Sequence, residues 1–199
     1  MIRNILQYLI DFIFPPREEE VVLRIISITQ FESQVPKALN GISIFSYKHS
    51  LVKELVWQIK YRRNMRATHM AAYFLHRELV KYGNVTLVPI PISKSRRKER
   101  GFNQCELIID SILKYDTNNI LSKDYSLLVR DKDIEKQTFK NRGERLENIK
   151  GIFRVTKSSS DISIVIIDDV TTTGGTLEEA KNSLLQAGFK DVKVLTLAH

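Results

Sequence analysis

Two adjacent carboxylates close an apolar run in the segment VIIDDVTTTGGT, residues 165–176. Threonines and glycines follow Asp168 and Asp169 at once: Thr171, Thr172, Thr173, Gly174, Gly175 and Thr176. Glycines let a ligand approach the backbone closely, and threonine hydroxyls add hydrogen-bond donors. Carboxylates would repel a phosphate, but they accept hydrogen bonds from sugar hydroxyls or bind a magnesium ion. The segment therefore predicts a site with one acidic part and one phosphate-binding part.

The elements predicted on either side place this segment at the edge of a sheet. Residues 163–168 are apolar up to the aspartates, as in a strand covered on both faces, and a helix is predicted from Thr176 to Ala187. Thr176 and Glu179 have the spacing of a capping box. In α/β sheets ligands bind beyond the carboxyl ends of strands, and the amides of a helix N-terminus attract phosphate. Hydroxyls on one side and phosphate on the other describe a ribose 5-phosphate. A turn whose Asp and Thr residues only cap the helix is the alternative interpretation.

The rest of the pattern alternates between strands and helices. Further strands are predicted at 42–47, 84–92, 127–130, 151–155 and 191–198. Helices are predicted from Ser50, which can cap the first of them, over 68–81, and through Leu107, Ile108 and Ile112. Residues 116–126 are polar and indicate a loop. Strands separated by helices are typical of βαβ units and a largely parallel sheet.

Composition limits the class of protein. The chain has 199 residues, of which 43% are hydrophobic and 27% charged, as in an ordinary globular protein. We expect one domain over 42–199, preceded by a helical N-terminal extension over 1–40. The net charge of +8 favours acidic partners such as phosphates, nucleic acid or anionic membrane, although a solvated basic surface also accounts for it. The single cysteine, Cys105, excludes an intramolecular disulfide framework and a multi-cysteine zinc site.

The first residues, MIRNILQYLIDFIF, have apolar side chains at helical spacing. The stretch is interrupted by polar residues and is shorter than the roughly 20 apolar residues that span a bilayer. We interpret it as a docking helix; a membrane-surface helix and a targeting segment are the alternatives. With no other long apolar segment, we expect no membrane span and a cytoplasmic location.

Three segments together resemble a known family. DDVTTTGGT resembles the phosphoribosyl pyrophosphate (PRPP) motif of type I phosphoribosyltransferases. VPIPISKSRRKERGFNQ, residues 88–104, is similar to the V-P-x-P…R-G-F-N-Q segment of the ComF/GntX family, which links phosphoribosyltransferase-like domains with competence and DNA uptake. The order Gln137, Arg142, Arg145, Asn148 and GIF, with IKY at 59–61, extends the resemblance over roughly 42–199.

The resemblance implies an α/β fold of the type I phosphoribosyltransferase kind, with a mostly parallel central sheet flanked by helices. It implies that Asp168 and Asp169 contact the ribose hydroxyls of PRPP, or of another ribose 5-phosphate compound, and that Thr171–Thr176 hold its 5-phosphate. Mg²⁺ would arrive with PRPP rather than on metal ligands of the protein. Many members also carry an N-terminal zinc finger after F-P-P. Here FPP is followed by REEEVVLRII without cysteine, so we expect no zinc.

The basic segment after the strand at 84–92 suits the diphosphate of such a ligand. Five of its residues are positive against the single Glu99, and they precede a helix at the sheet edge predicted for Asp168. Because arginine can bind a phosphate group bidentately, Arg97 and Arg100 are predicted pyrophosphate contacts. A nucleic-acid-binding or solvated patch explains the same charges equally well.

The connection between the predicted strands at 127–130 and 151–155 is long and rich in charged residues. In type I phosphoribosyltransferases a flexible loop covers the substrate, and long connections often serve as lids. We therefore predict a lid over 130–150 in which Gln137, Arg142 and Arg145 close on pyrophosphate or on nucleic acid; a charged surface hairpin or helix is the alternative.

Two functions remain open from the sequence. One is Mg²⁺-dependent phosphoribosyl transfer from PRPP to an unidentified acceptor. The other is a non-catalytic PRPP-binding protein that handles single-stranded DNA during uptake, with the DNA-uptake machinery as partner. Single strands stack on aromatic side chains. The candidates for such stacking are Tyr47, Trp57 and Tyr61, all of which also suit a core.

Overall fold

The protein is described by a computed structural model over residues 16–131, 150–158 and 161–199. In these residues the strands are β1 (Ser43–Phe45), β2 (Val85–Pro89), β3 (Leu121–Lys123), β4 (Leu128–Arg130), β5 (Phe153–Val155), β6 (Ser163–Val170) and β7 (Asp191–Ala198). The helices are α1 (Glu18–Ile25), α2 (Ile28–Gln34), α3 (Ser50–Arg62), α4 (Met65–Leu79), α5 (Lys94–Arg100), α6 (Gln104–Ile112) and α7 (Gly175–Gln186). A short 3₁₀ turn, Val80–Tyr82, extends α4.

A five-stranded sheet in the order β1-β7-β6-β2-β3 organises the chain, and every pairing in it is parallel. The central strand β6 pairs with β2 at Thr86↔Ile164 and with β7 at Ser163↔Asp191. Its run Ile164–Ile167 is fully buried because helices cover both faces. The prediction of a mostly parallel sheet flanked by helices is confirmed.

The side chains of β6 alternate between two cores. Val165 and Ile167 pack in the larger core, which lies under α3, α4 and α6. Ile164 and Ile166 pack in a second core with α7 and the antiparallel hairpin β4–β5. Since successive side chains of a strand point to opposite faces, the two aspartates at the end of β6 also point to opposite faces.

One edge strand was missed by the sequence interpretation. Residues 116–126 were predicted as a loop, but they contain β3, which pairs with β2 at Val85↔Leu121. The Asp116 carboxylate accepts the backbone N–H groups of Ile120 and Leu121 and closes the turn before it. A three-residue strand with only one buried side chain has too little apolar periodicity to be recognised.

The N-terminal helices belong to the larger core. Phe31 of α2 is fully buried, with its ring centroid 5.5 Å from that of Phe45 in β1 and 5.8 Å from that of Phe74 in α4. The extension over 1–40 was predicted as helical without α2 being singled out, and Ser27 with Gln30 forms a capping box at the start of α2. The predicted docking helix at the extreme N-terminus lies outside the described residues, and the boundary predicted near residue 41 stays a prediction. No helix among the described residues is long and apolar enough to cross a membrane; the cytoplasmic location stays a prediction.

Candidate functional site

The carboxyl end of β6 carries the two predicted acidic residues, each with a different neighbour. Asp168 lies against Cys105 of α6, whose Sγ is 3.5 Å from Asp168 Oδ1. Asp169 is 2% exposed, and its Oδ2 lies 2.9 Å from Nζ of Lys60, in the last turn of α3. Both carboxylates also accept a backbone N–H at their own strand end: Asp168 Oδ1 from Asp169 and Asp169 Oδ1 from Val170. These contacts fix the carboxylates at the edge where ligands bind in parallel sheets.

The environment of Asp168 favours its protonated form. Burial raises the pKa of this carboxyl well above its usual range, the neighbouring Asp169 charge raises it further, and Lys60 lowers it. Burial likewise raises the pKa of the Cys105 thiol well above its usual range, with the Asp168 charge as the second cause. The Cys105 thiol therefore stays protonated and donates a hydrogen bond to Asp168. Cys105 is thus a small, fully buried residue of the second core, and its contact with the site was not foreseen from the sequence.

Lys60 is the site residue that the sequence interpretation missed. Burial alone would lower its pKa, but the Asp169 carboxylate, and Asp168 behind it, raise the pKa above its ordinary value. Its side chain is 20% exposed, so the charge is largely removed from water. The sequence carried one signal, since Lys60 is the centre of the IKY segment that extends the family resemblance, but no role in the site was assigned to it.

The phosphate part of the site is a loop that ends at the N-terminus of α7. Gly174 is the N-cap residue, with φ +79° in the left-handed region, and it offers no side chain to the first-turn amides. Thr171 is buried and tied down: its N–H donates to the Ala198 carbonyl, and its own carbonyl lies 3.2 Å from His199 Nδ1. Thr172 and Thr173 are exposed. The loop thus combines a fixed start, two free hydroxyls and an uncapped helix end.

The predicted capping box at α7 is wrong. The helix begins at Gly175, one residue earlier than predicted, so Thr176 is already inside the first turn. Glu179, its supposed partner, instead accepts the backbone N–H of Gly151 at 2.6 Å and links α7 to the residues before β5. The spacing was compatible with a capping box, but a glycine at the N-cap leaves the amides open for another acceptor. Ser50 likewise lies inside α3, whose N-cap is His49.

The basic segment after β2 forms α5, an exposed helix that Ser93 caps by accepting the N–H of Arg96. Arg97 turns to α6, where its guanidinium binds the Glu106 carboxylate at 2.6 and 3.3 Å. Arg100 donates to Gln104 Oε1 at 2.9 Å and stacks over Tyr61. Its positive charge repels that of Lys60 and lowers the pKa of that lysine. Arg100 therefore lies near Lys60, the cation that pairs with Asp169, whereas Arg97 is engaged with a carboxylate on the outer surface.

Three predicted lid residues, Gln137, Arg142 and Arg145, lie outside the described residues. Among those described, Cys105, Asp168 and Asp169 bring potential ligand atoms within 4.8 Å of one another. A protonated thiol is a poor metal ligand, and Lys60 already neutralises one of the carboxylates. The set therefore suits hydrogen bonds to hydroxyls better than a divalent ion. The interpretation that Mg²⁺ arrives with the ligand stays a prediction.

A strip of stacked aromatic and arginine side chains runs along α3 to the site. The α3 aromatic surface, as we name it, consists of Trp57 and Tyr61, 5.8 Å apart between centroids, with Arg17 and Arg62 over Trp57 and Arg100 over Tyr61. Tyr61 is 52% exposed and Trp57 is half-buried. The alternative that both are core residues is therefore wrong for Tyr61.

Comparison with known proteins identifies the family. The phosphoribosyl transferase domain family matches residues 64–199. Competence protein ComFC of Streptococcus pneumoniae is 32% identical over 155 residues, which are 78% of this chain and 66% of that protein. DNA utilization protein YhgH of Escherichia coli K12 is 27% identical over 150 residues, which are 72% of this chain and 65% of that protein. The chain thus spans just under two thirds of these relatives' length.

Among solved structures, a hypoxanthine phosphoribosyltransferase from Staphylococcus aureus is similar with a TM-score of 0.38 and 14% identity, covering 83% of this chain and 68% of that one. The family match covers β2, β6, β7 and the whole DDVTTTGGT segment. The resemblance drawn from that segment and from residues 88–104 is confirmed. The chain belongs to the phosphoribosyl transferase domain family, with ComF-type competence proteins among its relatives.

Proposed function

We propose that this chain binds PRPP, with Mg²⁺, at the carboxyl end of β6 and transfers its phosphoribosyl group to an acceptor. One observation carries the proposal: a single turn joins a fixed acidic pair to an uncapped helix N-terminus. Asp168 and Asp169 would accept hydrogen bonds from the ribose hydroxyls. The amides at Gly175 and Thr176, with the exposed hydroxyls of the loop, would bind the 5-phosphate.

The reaction would break the bond between ribose C1 and the diphosphate oxygen, with both electrons leaving on pyrophosphate. A lone pair of the acceptor would form the new bond at C1, and the acceptor's proton would pass to solvent. Mg²⁺ bound with PRPP would supply charge neutralisation for the leaving group. Arg100, which lies over Tyr61 and near Lys60, is the described arginine that would add a second positive charge. Catalysis would then rest on positioning and electrostatics.

Calorimetric titration with PRPP and Mg²⁺ tests the binding part. We expect saturable binding to the native chain and its loss in the Asp168→Asn, Asp169→Asn double variant. Asp161→Asn is a matched control, since Asp161 is exposed and precedes the opposite end of β6. Equal binding by the double variant and the native chain would reject this site.

For transfer, pyrophosphate release is measured across purine, pyrimidine and amine acceptors. PRPP binding without any turnover would indicate a binding protein rather than an enzyme.

The α3 aromatic surface supports a second candidate function, the binding of single-stranded DNA. Alternating rings and guanidinium groups match the stacking and phosphate contacts that single strands use. Tyr61 is exposed, and Arg62 and Arg63 end the same helix. The names of two relatives, a competence protein and a DNA utilization protein, agree with a nucleic-acid context.

Fluorescence anisotropy with a labelled oligo-dT strand tests this candidate at several salt concentrations. We expect affinity to fall steeply with salt and to drop tenfold or more in the Tyr61→Ala, Arg62→Gln double variant, because stacking contributes about 1–3 kcal/mol per base. Lys190→Gln, an exposed lysine before β7, is the control for a simple loss of charge. The same loss in both variants would indicate only non-specific attraction, and no binding at low salt would exclude the function.

A further inference from the structure

Lys60 is a buried cation in a position that the fold holds rigidly. The chain turns sharply after α3, with Arg63 in the left-handed region at φ +48°. The Asn64 side chain donates to Gln58 Oε1 at 3.2 Å, and Gln58 donates to the buried Glu54 at 2.8 Å. These hydrogen bonds fix the end of α3, from which the Lys60 side chain reaches Asp169 of β6. The ammonium is therefore not a mobile surface group that happens to meet a carboxylate.

The acidic pair needs such a cation. Two buried carboxylates on successive residues repel each other, and a buried charge is strongly unfavourable unless it is paired. Among the described residues, the charged and titratable groups that act on the pair are Lys60 from α3 and Cys105 from α6, with Arg100 near Lys60. Of these, Lys60 makes the ion pair, Cys105 donates a neutral thiol proton, and Arg100 is stacked on Tyr61.

A countercharge at Asp169 also matters for an anionic ligand. The hydroxyls of a ribose 5-phosphate compound need ionised carboxylates as acceptors, and two buried carboxylates without a countercharge do not both stay ionised. With Lys60 paired to Asp169 at 2.9 Å, the pair presents at most one net negative charge. Lys60 thereby allows carboxylates that accept hydrogen bonds from hydroxyls to lie next to a sugar that carries a phosphate.

We propose that Lys60 is a positioning residue of this site, whose ammonium holds Asp169 in place and supplies the countercharge of the acidic pair. It acts through Asp169 and does not contact the ligand. The proposal deepens the proposed function and rests on it for its consequence, but the electrostatic link between Lys60 and the carboxylates belongs to the ligand-free protein.

The first experiment therefore needs no ligand. The carboxyl carbon of Asp168 is titrated by ¹³C NMR in the native chain and in Lys60→Met, Lys60→Arg and Lys53→Met, the last being an exposed lysine of the same helix. Lys60 lowers the pKa of Asp168, so its removal should raise the titration midpoint of that carboxyl. Lys60→Arg should stay near the native midpoint, and Lys53→Met should match it. An unchanged midpoint in Lys60→Met overturns the proposal, whatever the protein binds.

The second experiment measures PRPP–Mg²⁺ affinity against pH in the same variants. Because the ionised carboxylates bind the hydroxyls, affinity is lost as pH falls through the midpoint of Asp168. Lys60→Met should bind at least tenfold more weakly at pH 7, recover part of this loss at pH 9, and shift the profile upward. A loss that is equal at every pH would mark a merely structural residue and overturn the proposal. If the native chain binds no PRPP while the Asp168 midpoint shifts as expected, the proposed function fails and the role of Lys60 in the pair stands.

Because Lys60→Met leaves the buried Asp169 carboxylate without its cation and so lowers stability, a third variant keeps the test decisive. The Lys60→Met, Asp169→Asn double variant removes both charges of the ion pair at once. It should fold better than Lys60→Met, because no buried carboxylate loses its countercharge. A double variant that is no more stable than Lys60→Met would show that the two side chains are not coupled and would overturn the proposal.

Discussion

At the scale of single residues, Asp168 and Asp169 are neighbours in sequence with opposite energetic roles. Asp168 is held against a thiol that stays protonated, and its raised pKa means that ionisation is unfavourable in the folded protein. Asp169 is ion-paired with Lys60. The site therefore contains one carboxyl whose ionisation is unfavourable, Asp168, next to one whose charge is balanced by a lysine, Asp169. Such an arrangement is typical of positions where function rather than stability selects the residue types.

Asp168→Asn should stabilise the protein at alkaline pH. A carboxyl whose pKa is raised on folding binds its proton more tightly in the folded state, so the free energy of unfolding falls as pH rises from the ordinary aspartate value toward the raised one. Asparagine lacks this ionisation. We expect the variant to melt a few degrees above the native chain at pH 8, with the difference vanishing near pH 4. Thermal melts at both pH values measure it, and a lower melting temperature at pH 8 would contradict the argument.

Asp169→Asn should have the opposite effect. It leaves the largely buried Lys60 ammonium without its carboxylate, and breaking a buried pair from one side is destabilising by about 3–5 kcal/mol. Because Lys60 is 20% exposed, water can compensate in part, so the lower end of that range is expected. Urea denaturation at pH 7 measures the loss. A variant as stable as Asp168→Asn would show that the ion pair contributes nothing.

At the scale of elements, Ser27 and Thr176 are each followed three residues later by Gln or Glu, as in a capping box, but only Ser27 caps a helix. Ser27 accepts the N–H of Gln30 and completes a capping box with its side chain, whereas Thr176 lies inside α7 behind a glycine N-cap. Ser27→Ala should lower stability by about 1 kcal/mol. Thr176→Ala should change stability little and weaken ribose 5-phosphate binding. Chemical denaturation and calorimetry separate the two effects, and a full capping cost at Thr176 would argue that α7 is capped after all.

Sequence periodicity predicted the elements that bury a continuous apolar face. β6, β7 and α4 have long apolar runs or stripes, and the structure contains each within a few residues of the predicted bounds. β3 and α2 escaped because their stability comes from pairing with β2 and from a single buried phenylalanine, which are tertiary effects. The acidic pair was found because both members are adjacent in sequence. Lys60 stood in the IKY segment at 59–61, but its role was missed because its partner Asp169 lies on a strand that is distant in sequence.

Gly174→Ala tests whether the start of α7 needs a glycine. At φ +79° an L-residue is strained by about 1–2 kcal/mol, although an added Cβ would meet no atom within 4 Å. Gly101, with φ +79° at the end of α5 and equally open space, is a matched control. Both alanine variants should lose similar stability in urea. Only Gly174→Ala should weaken ribose 5-phosphate binding, and an equal effect on binding in both would place the phosphate elsewhere.

At the scale of the whole molecule, the sheet and the N-terminal helices share one core. Phe31, Phe45 and Phe74 form a cluster of three rings from α2, β1 and α4, and the rings of Phe45 and Phe74 meet edge to face at 4.8 Å. Arg66 of α4 donates to the carbonyls of Leu23 and Ile26 and fixes the end of α1 on the domain. The same α4 follows directly on α3, which carries Lys60. The N-terminal helices therefore support the helix layer that positions the site.

Phe31→Ala should consequently destabilise the whole domain and not only the N-terminal helices. Truncating a fully buried phenylalanine costs about 3–5 kcal/mol through lost burial and the cavity left behind. We expect a single unfolding transition, followed by both circular dichroism and Trp57 fluorescence, that moves to lower urea concentration as one unit. Ile25→Ala is the control, because Ile25 is 78% exposed in α1 and should leave the midpoint unchanged. Two separate transitions in Phe31→Ala would instead show that the N-terminal helices unfold by themselves from a domain that begins near residue 42.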